Sequence, residues 1–251
     1  MTSDQTRGAR GLVPDPDCQR QFWDDWNARY RGPEALSRLD AATLLRQETV
    51  LLWMRELALS NPLIMDLGCG TGWLSAQLAG FGRVTGVDIA VASIRKACQR
   101  FPDIEFRAGD LGDLDVGLER YDVVVCLETL SHVPDQEAFL TRIREVLKPG
   151  GYLIMTTQNR FVFERRSDVF PQGAGQIRRW VTTAELKRLV RGKFVVRRLT
   201  TMLPEGHGGI LRLVNSTKLN RLLCRAVSAE ALARVKERAG LGQTIALLAQ
   251  R

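Results

Sequence analysis

The sequence predicts an α/β fold: a mostly parallel sheet with helices on both faces. Three observations carry that prediction. Between residues 61 and 158, short apolar runs such as "LIMDL", "YDVVVCLE" and "GYLIMTTQ" alternate with amphipathic stretches such as "DQEAFLTRIREVL". The runs are continuously apolar rather than alternating, as in parallel strands buried on both faces. The first run leads straight into a glycine loop, "MDLGCGTG" (65–72), and then into the helical "WLSAQLAG".

Each element follows from its residues. Positions 1–17 hold Pro14 and Pro16 and little apolar periodicity, which reads as a flexible tail. In residues 18–60, Phe22, Trp23, Trp26 and Tyr30 recur at helical spacing until Gly32-Pro33. A second amphipathic helix, "DAATLLRQETVLLWMRELAL", ends before Asn61-Pro62. From residue 61 to 251 the pattern is that of the α/β domain. Strands are expected at 63–67, 83–89, 104–110, 121–128 and 151–158, with helices over 72–80, 90–101 and 135–147. Lys148-Pro149-Gly150-Gly151 is expected to stop the last of these helices. Residues 159–180 read as a loop, and Thr182 and Glu185 cap a helix over 182–192. A strand at 193–201, an insertion of loop and helices at about 204–241 and a closing strand, "QTIALLAQ", complete the chain.

Composition bounds the class. The 251 residues are 45% hydrophobic and 25% charged, ordinary for a globular protein. No apolar run approaches the roughly 18 residues of a membrane span, and the N-terminus has no apolar leader, so a cytoplasmic location is expected. Five dispersed cysteines without a C-x-x-C pair argue against a disulfide framework, and with two histidines no metal site is expected. The net charge of +8 is uneven: residues 1–159 sum to −5 and residues 160–251 to +13.

The glycine loop lies at the carboxyl end of the first strand, where open α/β sheets bind nucleotides. Its spacing excludes two phosphate-binding loops. A pyrophosphate loop needs a third glycine where Trp73 stands, and a P-loop needs a lysine that this segment lacks. Instead Asp66 precedes Gly68 and Gly70, and an acid there repels a diphosphate but suits an amine. Asp88 closes the second strand, where a carboxylate can bridge ribose hydroxyls. Asp110, followed by Leu111, closes the third, where it can accept from an adenine amine. A ligand with adenine, ribose and an amino-acid end, and no phosphate, satisfies all three. S-adenosyl-L-methionine is such a ligand.

The motifs "DLGCGTG", "VTGVDIA", "RAGDL", "YDVVVCLETLSHVPD" and "LKPGGYLIMTT", in this order, resemble the class I S-adenosylmethionine-dependent methyltransferases. The resemblance is close over about residues 60–160. It implies a Rossmann-like seven-stranded sheet of order 3-2-1-4-5-7-6 with an antiparallel last strand, an N-terminal helical lid and an insertion before that strand. It implies that Asp66, Gly68 and Gly70 face the methionine part, Asp88 holds the ribose and Ile89 lies against the adenine. Asp110 and Leu111 would bound the adenine edge, and Leu127 and Glu128 would line the site near the sulfonium. In the lid, Tyr30 or Trp26 would cover the methionine end. Within the class, "ETLSHVPD" and "RRWVTTAELKRLV" are most similar to ubiquinone-biosynthesis O-methyltransferases, which usually carry an acid where this chain has Ser131.

The expected activity is methyl transfer to a small-molecule acceptor, most simply a hydroxyl oxygen in a quinone-like or secondary-metabolite pathway. The basic C-terminal part would suit an acidic or lipophilic acceptor. Methyl transfer needs in-line alignment and exclusion of water, and a hydroxyl acceptor also benefits from a base. His132, after the fourth strand, and His207, in "PEGHGGI", are the candidate bases; each could instead be an ordinary turn or loop histidine. The alternative is an RNA-modifying methyltransferase that uses the basic part for phosphates. Against it, the fourth strand ends in "LETLSHVP" rather than a base-amino-methylation signature, and there is no recognisable RNA-binding module.

Overall fold

A computed structural model describes residues 15–30, 40–166, 168–169, 171–204, 210–214, 216–224 and 227–251. Helices α1 (Pro16–Tyr30) and α2 (Ala41–Leu57) precede β1 (Leu63–Leu67). Then come α3 (Trp73–Leu78), β2 (Arg83–Asp88), α4 (Val91–Arg100), β3 (Glu105–Ala108) and β4 (Tyr121–Leu127). A 3-10 turn (Leu130–His132) and α5 (Gln136–Val146) lead to β5 (Leu147–Gln158). The one-turn α6 (Arg160–Phe163), α7 (Thr183–Val190) and β6 (Val195–Met202) follow. Helices α8 (Ile210–Val214), α9 (Thr217–Leu223) and α10 (Ala229–Arg238) fill the span before β7 (Thr244–Gln250).

The seven strands form one sheet of order β3-β2-β1-β4-β5-β7-β6. Pairings from β3 through β5 are parallel, and β7 runs antiparallel to both β5 and β6. The continuous apolar strands are explained by two cores. Met65 and Leu67 of β1, with Val124 and Cys126 of β4, pack on one face with Leu140 and Ile143 of α5 and Leu186 of α7. Their neighbours Ile64, Val123 and Val125 pack on the other face with Trp53 and Met54 of α2 and Leu74 and Leu78 of α3. Every second side chain serves the opposite core, so apart from Asp66 and Asp122 these two strands are apolar on both faces.

Two readings of local sequence are corrected. Pro16 and Asp17 belong to α1, whose start at Pro16 suits the preset φ of proline in a first helical turn. Lys148-Pro149-Gly150-Gly151 does not separate α5 from the next strand: β5 already begins at Leu147. Tyr121 pairs with Leu147 and Val123 with Tyr152, so the four residues form a bulge inside the strand. Gly150 takes φ +79° there, and Lys148 reaches back to Asp122 at 2.8 Å. At the other predicted cap, Thr182 and Glu185 form the reciprocal capping box of α7.

Part of the charge asymmetry is internal. Lys193 pairs with Glu137, Arg198 with Glu56, and Arg251 with Glu119 at 2.6 Å, each joining the basic half to the acidic half. Among the described residues no helix is long and apolar enough to cross a membrane.

Candidate active site

A cavity of about 620 Å³ opens along the carboxyl ends of the parallel strands. The strand order lays its lining out in sequence. Asp110 and Leu111 follow β3, Asp88 and Ile89 close β2, and Gly68 to Gly70 follow β1. Leu127, Glu128 and His132 follow β4, Gln158 closes β5, and Gln243 precedes β7. Adjacent strands lie about 4.8 Å apart, so this row spans on the order of 20 Å or more, enough for two ligands end to end.

The β1 loop is built by backbone conformations that few side chains adopt. Gly68 has φ +79° and Gly70 φ +54°. A Cβ on Gly68 would lie 2.0 Å from Thr129 Oγ1, and one on Gly70 would lie 3.0 Å from Asn27 Oδ1 of α1. The loop is tied to β2: the Gly68 and Cys69 amides donate to Val87 O at 2.8 and 3.2 Å. Asp88 completes this tie, one oxygen accepting from the Gly70 amide and the other from the Ala90 amide, both at 2.8 Å.

Asp66 is buried in the floor, where Ser75 Oγ donates to it at 2.6 Å. Burial first, and the nearby Asp88 charge second among the raising influences, push its pKa up to about 7. Burial also raises Asp88, against the lowering effect of its two amide donors. Asp110 is exposed and accepts from Gly112 N at 2.7 Å; Leu111 beside it is buried. Carboxylates of Asp66, Asp88 and Asp110 thus line this end. Their sign fits an ammonium, a sulfonium and hydroxyl donors, and it does not fit a phosphate.

Glu128 stands at the turn after β4 with φ +60°, a region costly for a side-chain-bearing residue. Its amide donates to Thr156 O at 3.0 Å, and Arg46 Nε of α2 approaches its carboxylate at 3.7 Å. Its Oε1 is buried without a hydrogen bond, so a polar position is held open beside Leu127.

His132 faces the cavity from the 3-10 turn. Its Nδ1 lies 2.8 Å from Ile177 O, and a carbonyl can only accept, so Nδ1 carries the proton and Nε2 the lone pair. Burial lowers its pKa to about 4, and the Arg178 charge contributes in the same direction. The ring packs edge-on to Trp23 at 4.6 Å.

Helix α1 closes one side. Asp24 accepts from the Ser93 amide and hydroxyl at the start of α4, at 3.0 and 3.2 Å. That docking turns Trp23, Trp26, Gln19 and Asn27 toward the cavity. Tyr30 does not line it: the residue sits at the exposed end of α1 with its ring 5.3 Å from Trp26. His207 lies outside the described residues. Sequence reasoning did not assign Gln158, Arg178, Trp180 or Gln243 to the site, although Arg178 and Trp180 open the stretch "RRWVTTAELKRLV"; all four line the cavity.

A doubly wound sheet with a glycine loop and three strand-end carboxylates, rather than a phosphate-binding loop, defines a site for an adenosine ligand with a cationic tail. A family model described as "Methyltransferase domain" matches residues 59–203. The ubiquinone biosynthesis O-methyltransferase of Bordetella avium is 32% identical over 182 residues, 65% of this chain and 74% of that protein. A protein of the same name from Coxiella burnetii is 35% identical over 111 residues, 47% of its length. The structure of the [4+2]-cyclase SpnF is similar with a TM-score of 0.65 at 17% identity, covering 98% of this chain and 99% of that one. A geranyl diphosphate C-methyltransferase from Streptomyces coelicolor, solved with S-adenosyl-L-homocysteine, has a TM-score of 0.63 at 18% identity, over 96% and 100%. At these identities the two structures establish the fold alone.

The chain belongs to the methyltransferase domain family, as a class I S-adenosylmethionine-dependent methyltransferase. Its cofactor is S-adenosyl-L-methionine.

Proposed function

We propose that the protein methylates a hydroxyl oxygen of a small aromatic acceptor, with His132 receiving the proton. The observation that carries this reading is the fixed His132 tautomer. With Nδ1–H on Ile177 O, the remaining lone pair on Nε2 belongs to a residue that lines the cavity.

The cofactor supplies a methyl group activated on a sulfonium. Asp88 would bind the ribose hydroxyls, Ile89 and Leu111 would flank the adenine and Asp110 would accept from its amine. Asp66 would neutralise the amino end across the Gly68–Gly70 backbone, and Leu127 and Glu128 would border the methyl. The acceptor is then left the part of the cavity under β4, β5 and β7, walled by Trp23, Phe163 and Trp180.

In that arrangement the acceptor hydroxyl donates to His132 Nε2. As its oxygen forms the bond to the methyl carbon and the carbon–sulfur bond breaks, the proton passes to Nε2 and later to water. A weak base suffices, because an oxygen that has gained a methyl group surrenders its proton readily. The aromatic wall excludes water and supplies apolar contact for a flat ring. The Bordetella relative, named an O-methyltransferase, favours the same transfer.

The test is product analysis. Protein incubated with S-adenosyl-L-methionine and a panel of phenols should yield aryl methyl ethers. His132→Asn should lose turnover while still binding S-adenosyl-L-homocysteine. Methylation confined to amines, or an undiminished His132→Asn rate, would defeat the reading.

A further inference from the structure

The sheet order places the span between β6 and β7. Because β7 runs antiparallel to both β5 and β6, β6 ends and β7 begins at the carboxyl edge of the sheet, where the cavity opens. Helices α9 and α10 therefore stand beside that opening. The return of the span is pinned there. Asn159, which follows Gln158, donates from Nδ2 to Gly240 O at 2.9 Å and to Gly242 O at 2.8 Å. Thr201 Oγ1 of β6 donates to Glu237 O of α10 at 2.6 Å. Lys236 Nζ of α10 in turn donates to Asn220 Oδ1 of α9 at 3.0 Å, so the two helices are carried together. Gln158 and Gln243, on either side of these ties, line the cavity.

The chemistry of this span is one-sided. Residues 204–241 hold seven Lys and Arg against three Glu, with eleven Ile, Leu and Val and no Phe, Tyr or Trp. Its outer surface mixes both kinds. Leu219 and Val235 are exposed, Val235 to 64%, among exposed Lys218, Arg221, Arg234 and Arg238. Arg234 and Arg238 lie one helical turn apart on α10, with Val235 beside them. Of the acids, Glu230 stands one turn before Arg234, Glu237 is half-buried, and Glu205 lies outside the described residues. Aliphatic side chains set among cations reward a surface that is negative at its headgroups and apolar just beneath. A nucleic acid would reward the cations alone, because single strands stack their bases on aromatic rings and this span has none.

We propose that α9 and α10 form a docking surface for the anionic face of a lipid bilayer, which sets the β5–β7 end of the cavity against the headgroups. The helices lie on the membrane and do not span it, since no helix among the described residues is long and apolar enough to cross one. The cations draw the protein to the surface, and Leu219 and Val235 enter the boundary between headgroups and chains. A cavity that opens beside such a surface takes a lipophilic acceptor from the bilayer without passage through water. The inference goes beyond the assignment of the methylated atom and does not depend on it.

The experiment is vesicle sedimentation with the full chain. The protein should bind vesicles of phosphatidylcholine containing about one-third phosphatidylglycerol at least about tenfold more tightly than vesicles of phosphatidylcholine alone. Raising the salt to about 0.5 M should release most of it. Arg234→Glu combined with Arg238→Glu should weaken binding by about tenfold or more, and Val235→Ser, which leaves the charge alone, by about threefold or more. Arg95→Glu combined with Lys96→Glu, on exposed positions of α4, makes the same change in net charge at the far side of the sheet and should alter binding by no more than about threefold. S-adenosyl-L-homocysteine affinity, unchanged in every variant, proves folding. Absence of vesicle binding, or equal binding to neutral and anionic vesicles, overturns the proposal. So does a loss as large in the α4 variant as in the α10 variant, or an undiminished Val235→Ser. Retention on single-stranded RNA without binding to vesicles overturns it in favour of a nucleic-acid partner. Vesicle binding is read without turnover, so failure of O-methylation leaves it readable and the two readings fail separately.

Discussion

The imidazole Nδ1 of His132 lies 2.8 Å from the carbonyl oxygen of Ile177, 45 positions further along the chain. One contact fixes the tautomer, aims the ring and joins the turn after β4 to the segment that carries Arg178 and Trp180.

Burial makes His132 neutral over a wide range by lowering its pKa to about 4, against the opposite pull of the Ile177 hydrogen bond. In the proposed role, His132→Asn should reduce kcat by about 10²–10⁴-fold with little change in cofactor affinity. The wild-type kcat should show no acid limb near pH 6.5, where a free histidine titrates. The sign for stability is also set. The unfolded imidazole takes up a proton as pH falls below about 6.5 while the folded one does not, so this contribution is complete above that pH and is lost on acidification towards 4. Thermal melts of wild type and His132→Asn between pH 7 and 4 should converge as the pH falls.

Asp66 should couple cofactor binding to pH. With a pKa of about 7 in the ligand-free protein, it is partly protonated near neutrality. A cationic amino end favours the carboxylate, so binding should release a proton. Affinity for S-adenosyl-L-methionine should then fall by up to about tenfold per unit below pH 7. Calorimetry in buffers of different ionisation heat reads the released proton directly, and Asp66→Asn should abolish both effects. For the free protein the raised pKa acts oppositely to that of His132: its contribution is present below the ordinary carboxylate range and lost as pH rises through about 7.

Asp88 has a structural task besides its expected ligand contact, since it ties the glycine loop to the start of α4. Asp88→Ala leaves two amides without their acceptor. It should cost about 1–3 kcal/mol of stability and weaken S-adenosyl-L-homocysteine binding by at least about tenfold. Asp88→Asn retains one carbonyl acceptor and should fall between. Chemical denaturation and calorimetry on the three proteins order them.

Gly68→Ala should be costly for two separable reasons. The position needs φ +79°, and the new Cβ would lie 2.0 Å from Thr129 Oγ1. The backbone part alone is worth about 1–3 kcal/mol. Thr129→Ala in the same chain removes the 2.0 Å contact, leaving the residue 129 Cβ at 3.1 Å and the backbone strain untouched, so it should recover part of the lost melting temperature and no more. Full recovery would mean that the conformation itself is not strained.

Much of this was legible in the residues. The apolar runs of β1 and β4 gave strands on both faces, and their placement before Gly68 and Glu128 gave the edge of the sheet where ligands bind. Asp88 and Asp110 were legible as strand-end acids because the periodicity breaks there. The bulge at Lys148–Gly151 was not, because a proline and two glycines stop a helix in sequence and bend a strand in space with equal ease. The lid was half legible. Helical spacing puts Trp23, Trp26 and Tyr30 on one side of α1, but the bonds that Ser93 donates to Asp24 decide that the two tryptophans reach the cavity and Tyr30 stays outside.

By itself the sequence determined the sheet, the cofactor class and the order in which acids and glycines line the cavity. Those follow from local rules: which residues bury, which turn, and which carry charge at the end of a strand. Only the tertiary structure decided the state of those groups and the company they keep. Asp66 is raised and His132 is held neutral because packing removes their water, and residue 177 folds back onto His132 to fix its tautomer. Gln158 and Gln243, 85 positions apart, meet on the lining of one cavity because β5 and β7 are neighbours in the sheet. Burial and long-range hydrogen bonds depend on what lies across space, and spacing along the chain carries no record of that.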